Sequence, residues 1–130
     1  MDYVIDTSAV VAVILNEAHK AQLIAITKGA NLHAPASLHW EVGNALSAMF
    51  KRDRLSLEQA LKAVHHYKSI PIRFHDVGLD TSLELAKRYD LYAYDAYFID
   101  CSLSVSGPLL TLDKALMTAA QRAGVEVIEV

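Results

Sequence analysis

The sequence predicts an α/β fold with a mainly parallel sheet and helices on both faces. Short apolar runs rich in Val, Ile and Leu alternate with longer segments whose apolar residues recur at helical spacing. This alternation is typical of parallel sheets. Hydrophobic residues make up 53% of the 130-residue chain and charged residues 21%, which argues against disorder. We therefore expect a single domain over residues 1–130.

The first half of the chain is predicted to contain two strands and three helices. A strand at residues 3–5 leads directly into a helix, because three residue types that cap helices follow it: Asp6, Thr7 and Ser8. A second helix is expected to stop at Gly29, before a short strand at residues 32–34. The third helix follows Pro35 and ends near Arg52, with an apolar stripe formed by Leu38, Val42, Ala45, Leu46 and Met49.

The second half repeats this alternation. Ser56 and Gln59 form a capping-box pattern that opens a helix with the apolar stripe Leu57, Leu61 and Val64. A strand at residues 70–74 is followed by a helix that turns at Asp90 and has the apolar face Leu79, Leu83, Ala86 and Tyr89. The last predicted elements are a helix at 95–106, a strand at 109–112, a helix opened by Asp113 and a strand at 125–130.

Four acidic residues are candidates for a functional site: Asp6, Glu41, Asp95 and Asp113. Asp6 and Asp113 each follow a predicted strand, and functional groups in an open parallel sheet collect beyond the carboxyl ends of the strands. Helix capping explains either of them equally well, and Asp95 could also simply start its helix. Glu41 lies at the margin of an apolar stripe, with Asn44 on its side of the helix, but a solvent-facing glutamate is common there. Asp95 lies in an unusually apolar and aromatic segment, where an unpaired charge is costly.

Carboxylates gathered in one pocket repel each other, and a hard divalent cation with oxygen ligands relieves that repulsion. The four acids therefore predict a Mg²⁺ or Mn²⁺ site that activates water and stabilises charge on a phosphodiester. We expect all four to act in catalysis and metal binding. Asp6, Asp95 and Asp113 are the expected direct ligands, with Glu41 as a ligand or a water-positioning base.

Net charge and cysteine content argue against some classes of protein. The net charge of −3 argues against a nonspecific nucleic-acid coat protein, but not against an enzyme that acts on RNA. The local cluster Lys51, Arg52 and Arg54 is either a phosphate contact or a solvated helix end. With one cysteine, no evident signal peptide and no apolar run of membrane length, we expect a cytoplasmic protein without a membrane partner.

Four segments, taken in order, carry a family resemblance: Val4–Ala9, Glu41–Leu46, Tyr94–Ala96 and Leu110–Asp113. Together they resemble the ordered acidic motifs of PIN domains, specifically those of VapC-like toxins, over nearly the whole chain. The resemblance implies a five-stranded parallel sheet, Mg²⁺ or Mn²⁺ at the four acids and endoribonuclease activity on an RNA substrate. It also implies a homodimer and inhibition by a small protein antitoxin.

Other functions are compatible with clustered acids on a parallel sheet. A receiver-like binding module expects paired acids after its first strand, where Asp6 stands alone. A phosphatase with a nucleophilic aspartate expects a second aspartate two positions after it, where Ser8 stands. A noncatalytic PIN-like module would bind metal or a partner without cutting RNA.

Several residues near the acids have two interpretations. Asp100 is interpreted as a surface charge rather than an extra acid of the site. Thr7, Ser8 and Thr111 are explained equally well as partners of the carboxylates or a metal-bound water and as capping or strand-end residues. Aromatic residues beside apolar stripes usually lie in the core, and we expect this burial for Trp40, Tyr92, Tyr94 and Tyr97. The alternative is that these rings stack on RNA bases.

Overall fold

The computed structural model describes residues 1–130 and contains five strands and seven helices. The strands are β1 (Asp2–Ile5), β2 (Asn31–Pro35), β3 (Ile72–His75), β4 (Leu109–Leu110) and β5 (Val127–Ile128). The helices are α1 (Thr7–Ile14), α2 (Lys20–Thr27), α3 (Leu38–Lys51), α4 (Leu57–Ser69), α5 (Leu79–Tyr89), α6 (Ala93–Val105) and α7 (Lys114–Arg122). None of these helices combines the length and apolar character that crossing a membrane requires.

The strands form one sheet in the order β3-β2-β1-β4-β5, and every neighbouring pair is parallel. This confirms the predicted α/β fold with five parallel strands. The chain moves outward from β1 through β2 to β3 and then returns to place β4 on the other side of β1. The connections after β1 and β4 therefore diverge, and a crevice forms where these two strands end.

Helices cover both faces of the sheet. Tyr3, Val4 and Ile5 of β1 are all buried, although successive side chains of a strand point to opposite faces. Helix α6 packs against β1, β2 and β4, and its Phe98 is among the largest fully buried side chains. One continuous core therefore joins the central strand to the helices, and it fixes the strand ends that border the crevice.

Two predicted helix faces are wrong at their leucines, although their remaining members, Val64, Ala86 and Tyr89, are partly buried. The capping box of Ser56 and Gln59 is present, but α4 exposes the predicted stripe, with Leu57 64% and Leu61 60% exposed. The helix instead buries the adjacent face formed by Ala60, Ala63 and Tyr67. Helix α5 likewise exposes Leu79 and Leu83 and buries Ser82. The small side chains of Ala60, Ala63 and Ser82 allow α4 and α5 to pack closely against their neighbours, and the leucines lie on the outer surface.

Three strands differ from their predicted bounds by two residues or more at one or both ends, whereas β1 and β2 differ by at most one residue at either end. β3 begins at Ile72 because Pro71 has no N–H to donate to β2. β4 contains only Leu109 and Leu110, and the hydroxyl of the following residue, Thr111, donates to Asp6 at the end of β1. β5 is an edge strand whose only neighbour is β4, and it therefore pairs over two residues as well.

Gly107 is required by the close approach of the chain to β1. A Cβ at this buried position would lie 2.8 Å from the backbone oxygen of Asp2, just before the chain enters β4. Gly107→Ala should therefore lower the free energy of unfolding by about 1–3 kcal/mol, the usual cost of overpacking. Urea denaturation measures this change.

Gly43→Ala provides the matched control. A Cβ at Gly43 in α3 would meet no atom within 4 Å, and alanine favours the helix by up to about 1 kcal/mol. This variant should be as stable as the parent or more stable. Equal stability of the Gly107→Ala variant and the parent would contradict the close approach.

Candidate active site

Asp6 is a buried carboxylate at the end of β1. It accepts hydrogen bonds from the backbone N–H of Ala9 at 3.0 Å, from the Ser8 hydroxyl at 2.8 and 3.0 Å, and from the Thr111 hydroxyl at 2.5 Å. Burial nevertheless outweighs these bonds and, with the charge of Asp113, raises the pKa of Asp6 to about 6. Asp6 is thus the N-cap of α1 and also an electrostatically unfavourable charge.

Hydroxyl groups join the segments that follow β1 and β4. The fully buried Thr111 donates to Asp6 and accepts the backbone N–H of Asp113 at 3.0 Å. Ser8 accepts the backbone N–H of Leu112 at 2.9 Å while it donates to Asp6. Both hydroxyls are therefore carboxylate partners, and they hold the ends of two neighbouring strands together.

Asp113 is the N-cap of α7. One of its carboxylate oxygens accepts the backbone N–H groups of Ala115 and Leu116, at 2.9 and 3.2 Å. Helix capping is therefore real for Asp113, as it is for Asp6. It does not exclude a second role, because the charge of Asp113 raises the pKa of both Asp6 and Asp95.

Glu41 lies in the first turn of α3 and is partly buried. Burial raises the pKa of its carboxyl to about 7, and the charges of Asp95 and Asp6 add to the rise, while the hydroxyls of Ser37 and Thr7 oppose it. Ser37 donates to Glu41 at 2.9 Å. The predicted solvent-facing alternative therefore does not describe Glu41.

Asp95 lies in the first turn of α6, whose N-cap is Tyr92, so it does not start its helix as a cap. Burial is the main cause that raises the pKa of Asp95, and the charge of Asp113 raises it further. No hydrogen-bonded neighbour offsets these effects. Asp95 is therefore a charge in an unfavourable environment that capping does not explain.

All four predicted acids lie at helix N-termini that border the crevice. Asp6 and Asp113 are N-caps, and Glu41 and Asp95 lie in first turns. The positive ends of four helix dipoles therefore face the carboxylates, an arrangement that also suits phosphate groups. The acids influence one another through charge, but in their present side-chain orientations no three of them are close enough to hold one ion.

Ser37 was missed in the sequence. It precedes Glu41 by four residues, a spacing that places two side chains on one side of a helix. This spacing is the sequence signal that could have predicted the contact. Its hydroxyl holds the Glu41 carboxylate in a fixed orientation. Asn44, which was predicted to lie on the same side of the helix, is exposed and forms no hydrogen bond with Glu41.

The interpretation of Asp100 as a surface charge is wrong. Only 8% of Asp100 is exposed, and its carboxylate accepts hydrogen bonds from Thr81 at 2.7 Å and Ser82 at 2.8 Å. These hydroxyls belong to α5, so Asp100 joins α5 to α6. Burial, with the charge of Asp100, raises the pKa of the neighbouring Cys101 thiol to about 12, so this thiol stays protonated at neutral pH.

The expectation that the aromatic residues are core is wrong for three of them. Trp40, Tyr92 and Tyr94 are 76%, 85% and 56% exposed, and only Tyr97 is partly buried. Trp40 and Tyr94 line an open cleft together with Glu41. The rings of Trp40 and Tyr94 therefore border the acidic site rather than the core, whereas Tyr92 is exposed and does not line this cleft.

Known proteins are similar to this chain in sequence and in fold. The PIN domain family model matches residues 3–121. The chain is 31% identical over 120 residues to ribonuclease VapC9 of Mycobacterium tuberculosis, covering 91% of each chain. The residues that the family model matches include all four acidic residues of the candidate site.

Two solved structures share the fold. One is PAE2754 from Pyrobaculum aerophilum, with a TM-score of 0.72 at 24% identity, which covers 92% of this chain and 79% of that one. The other is VapBC2 from Rickettsia felis, solved with a DNA fragment from its promoter, with a TM-score of 0.72 at 12% identity and 98% of each chain covered. With a family model that matches nearly its whole length, this chain belongs to the PIN domain family.

Proposed function

We propose that this chain is an endoribonuclease that hydrolyses RNA phosphodiesters with Mg²⁺ or Mn²⁺ held by Asp6, Glu41, Asp95 and Asp113. The observation that carries the proposal is the mutual electrostatic effect of these four carboxylates at the crevice where β1 and β4 end. The sequence likeness of this chain to ribonuclease VapC9 supports RNA as the substrate class and hydrolysis as the reaction. Membership of the PIN family removes the receiver-like alternative.

The residues present fit a hard divalent cation. The site offers carboxylate and hydroxyl oxygens, which Mg²⁺ and Mn²⁺ prefer, and no thiolate or imidazole. The buried Thr7 Oγ1 lies near enough to Glu41 to lower the pKa of its carboxyl but forms no hydrogen bond of regular geometry, and such an atom is commonly satisfied by an ordered water. A bound cation would activate water and stabilise charge on the phosphodiester.

The chain itself contributes orientation and proton transfer. Ser8, Thr111 and Ala9 fix the Asp6 carboxylate, and Ser37 fixes that of Glu41. The pKa of Glu41 is about 7 without a cation, and a bound cation would lower it, so the Glu41 carboxylate would be charged at neutral pH and able to position a water and accept its proton. The four helix N-termini favour the approach of a phosphate.

Toxin function and assembly are part of the same proposal. The VapC likeness supports a toxin role. We propose that a small protein antitoxin inhibits the chain through an arginine that reaches the acids and competes with the cation. A homodimer is consistent with exposed leucines that no other element covers: Leu57, Leu61, Leu79 and Leu83. The cytoplasmic location remains a prediction.

Excess EDTA should abolish cleavage of a mixed RNA pool, and added Mn²⁺ should restore it, because the carboxylates cannot activate water without a cation. Sequencing the cut ends measures both results. Cleavage that is equally fast in EDTA would contradict the metal mechanism. A rise in melting temperature with Mn²⁺ but no cleavage would identify a noncatalytic module.

Asp113→Asn separates a metal site from helix capping, and Asp95→Asn tests the acid that does not cap its helix. Asn caps a helix about as well as Asp, so capping alone predicts little change. Loss of a ligand should instead lower the cleavage rate at least about 100-fold, the upper end for loss of an outer-shell partner. The metal-free variants should be as stable as the parent or more stable, because a like charge is removed.

Thermal melts with and without Mn²⁺, together with cleavage assays, measure these effects. The shift in melting temperature that Mn²⁺ causes should shrink in both variants. Asp80→Asn, an exposed acid in the first turn of α5, is the matched control and should leave cleavage and the shift unchanged. Full activity with an undiminished shift in both test variants would remove Asp95 and Asp113 from the site.

The pH dependence of stability tests the environment of Glu41. The pKa of Glu41 is raised from 4.5 to about 7 and that of Asp6 from 3.8 to about 6, so the folded chain binds more protons than the unfolded chain between these values. The stability contributed by these protonated groups is present below pH about 4 and is lost as pH rises through about 7. Glu41→Gln should lose less stability over this range.

Urea denaturation in EDTA, from pH 5 to 8, measures the difference between Glu41→Gln and the parent. The comparison cancels the titration of histidines, which both proteins share. Protons also compete with the cation, so the shift that Mn²⁺ causes in the parent should be larger at about pH 7.5 than at about pH 5.5. An equal pH slope in both proteins would show that Glu41 titrates as an ordinary surface acid.

A further inference from the structure

An open cleft beside the acids has two aromatic walls. Trp40 from α3 and Tyr94 from α6 line it together with Glu41, and its volume is about 320 Å³. The other lining residues are Thr7, Asn44 and Ala45. We propose that this aromatic cleft binds a nucleobase of single-stranded RNA next to the phosphodiester that is cut, an inference that rests on the proposed ribonuclease function.

Core packing does not explain the two aromatic side chains. Trp40 is 76% exposed and Tyr94 is 56% exposed. Each ring contacts another ring in an edge-type arrangement, Trp40 with His39 at a centroid distance of 6.2 Å and Tyr94 with Tyr97 at 5.9 Å. These contacts orient the rings and leave much of their surface to solvent. Exposed aromatic surface that lines a cleft is typical of a binding site.

The positions of the two rings relative to the acids indicate the ligand. Trp40 directly precedes Glu41 in α3, and Tyr94 directly precedes Asp95 in α6. A flat ring bound in the aromatic cleft would therefore carry its substituents to the carboxylates. Nucleotides combine a flat ring with a phosphodiester, and bases of any sequence stack on aromatic side chains.

The size and polarity of the cleft favour one base of a single strand. Its volume is at the lower end of the range of about 300–1,000 Å³ for small-ligand sites, so it suits one ring system rather than a helix of a partner protein. The exposed amide of Asn44 offers a donor and an acceptor to the edge of a base. Bases in a duplex are covered by their neighbours, so duplex RNA should bind poorly.

Fluorescence gives a direct test, because Trp40 is the only tryptophan of the chain. The full chain is titrated in EDTA, where the proposed mechanism does not cut, with a short single-stranded RNA, its duplex and an abasic strand of equal length. The single strand should quench the fluorescence of Trp40 with saturation. The duplex and the abasic strand should quench it much less.

Cleavage kinetics provide the second test. Trp40→Ala and Tyr94→Ala should each raise KM for single-stranded RNA about 5- to 150-fold, the loss expected for one stacked base, with a smaller effect on kcat. Trp40→Phe and Tyr94→Phe keep a ring and should retain most of the affinity. Tyr92→Ala is the matched control, because Tyr92 is 85% exposed and close in sequence but does not line the cleft, and its KM should not change.

The outcomes distinguish this inference from the ribonuclease proposal. Unchanged KM in both alanine variants of an active enzyme, or equal quenching by all three ligands, would overturn the aromatic cleft and leave the ribonuclease intact. Selective quenching without any cleavage would support the cleft and refute the enzyme. Dissociation of Trp40→Ala to a smaller species in sedimentation, together with the rise in KM, would assign Trp40 to a subunit contact and overturn the inference.

Discussion

The burial of the Asp6 carboxylate is the constraint on which the geometry of the site depends. Only 4% of Asp6 is exposed. Burial of an unpaired charge is costly, so this carboxylate requires hydrogen-bond donors. Its donors come from the start of α1 and from Thr111 after β4. Thr111 also accepts the backbone N–H of Asp113. The hydroxyl that stabilises the Asp6 carboxylate therefore also fixes the position of Asp113 at the start of α7.

The same arrangement makes the metal-free site a local weakness. Burial raises the pKa of Asp6, Glu41 and Asp95, which means that their charged forms are less favourable in the folded chain than in water. Apolar residues at these positions would avoid that cost. A lower free energy of unfolding is common where a protein holds charges for a ligand. A ligand that binds only the folded chain raises this free energy again.

Local signals predicted the order of elements well, whereas packing partners decided the rest. The strand-to-helix junctions at Asp6 and Asp113 were predictable because β-branched runs and N-caps act within a few residues. The buried face of α4 was not, because its alanines pack inward while apolar leucines stay outside. Asp100 was misjudged because its hydroxyl partners lie on a different helix, which no local pattern reveals.

The exposure of the aromatic residues follows from the position of the acids. Glu41 and Asp95 occupy first turns of helices that begin at an open crevice, so they border solvent on one side. The residue before each acid is rotated by about 100° around its helix, which carries Trp40 and Tyr94 toward the rim rather than the core. Hydropathy alone predicts burial for both rings. At an open crevice the residues beside the acids have no packing partners on one side, and this topological constraint outweighs the preference of an aromatic side chain for the interior.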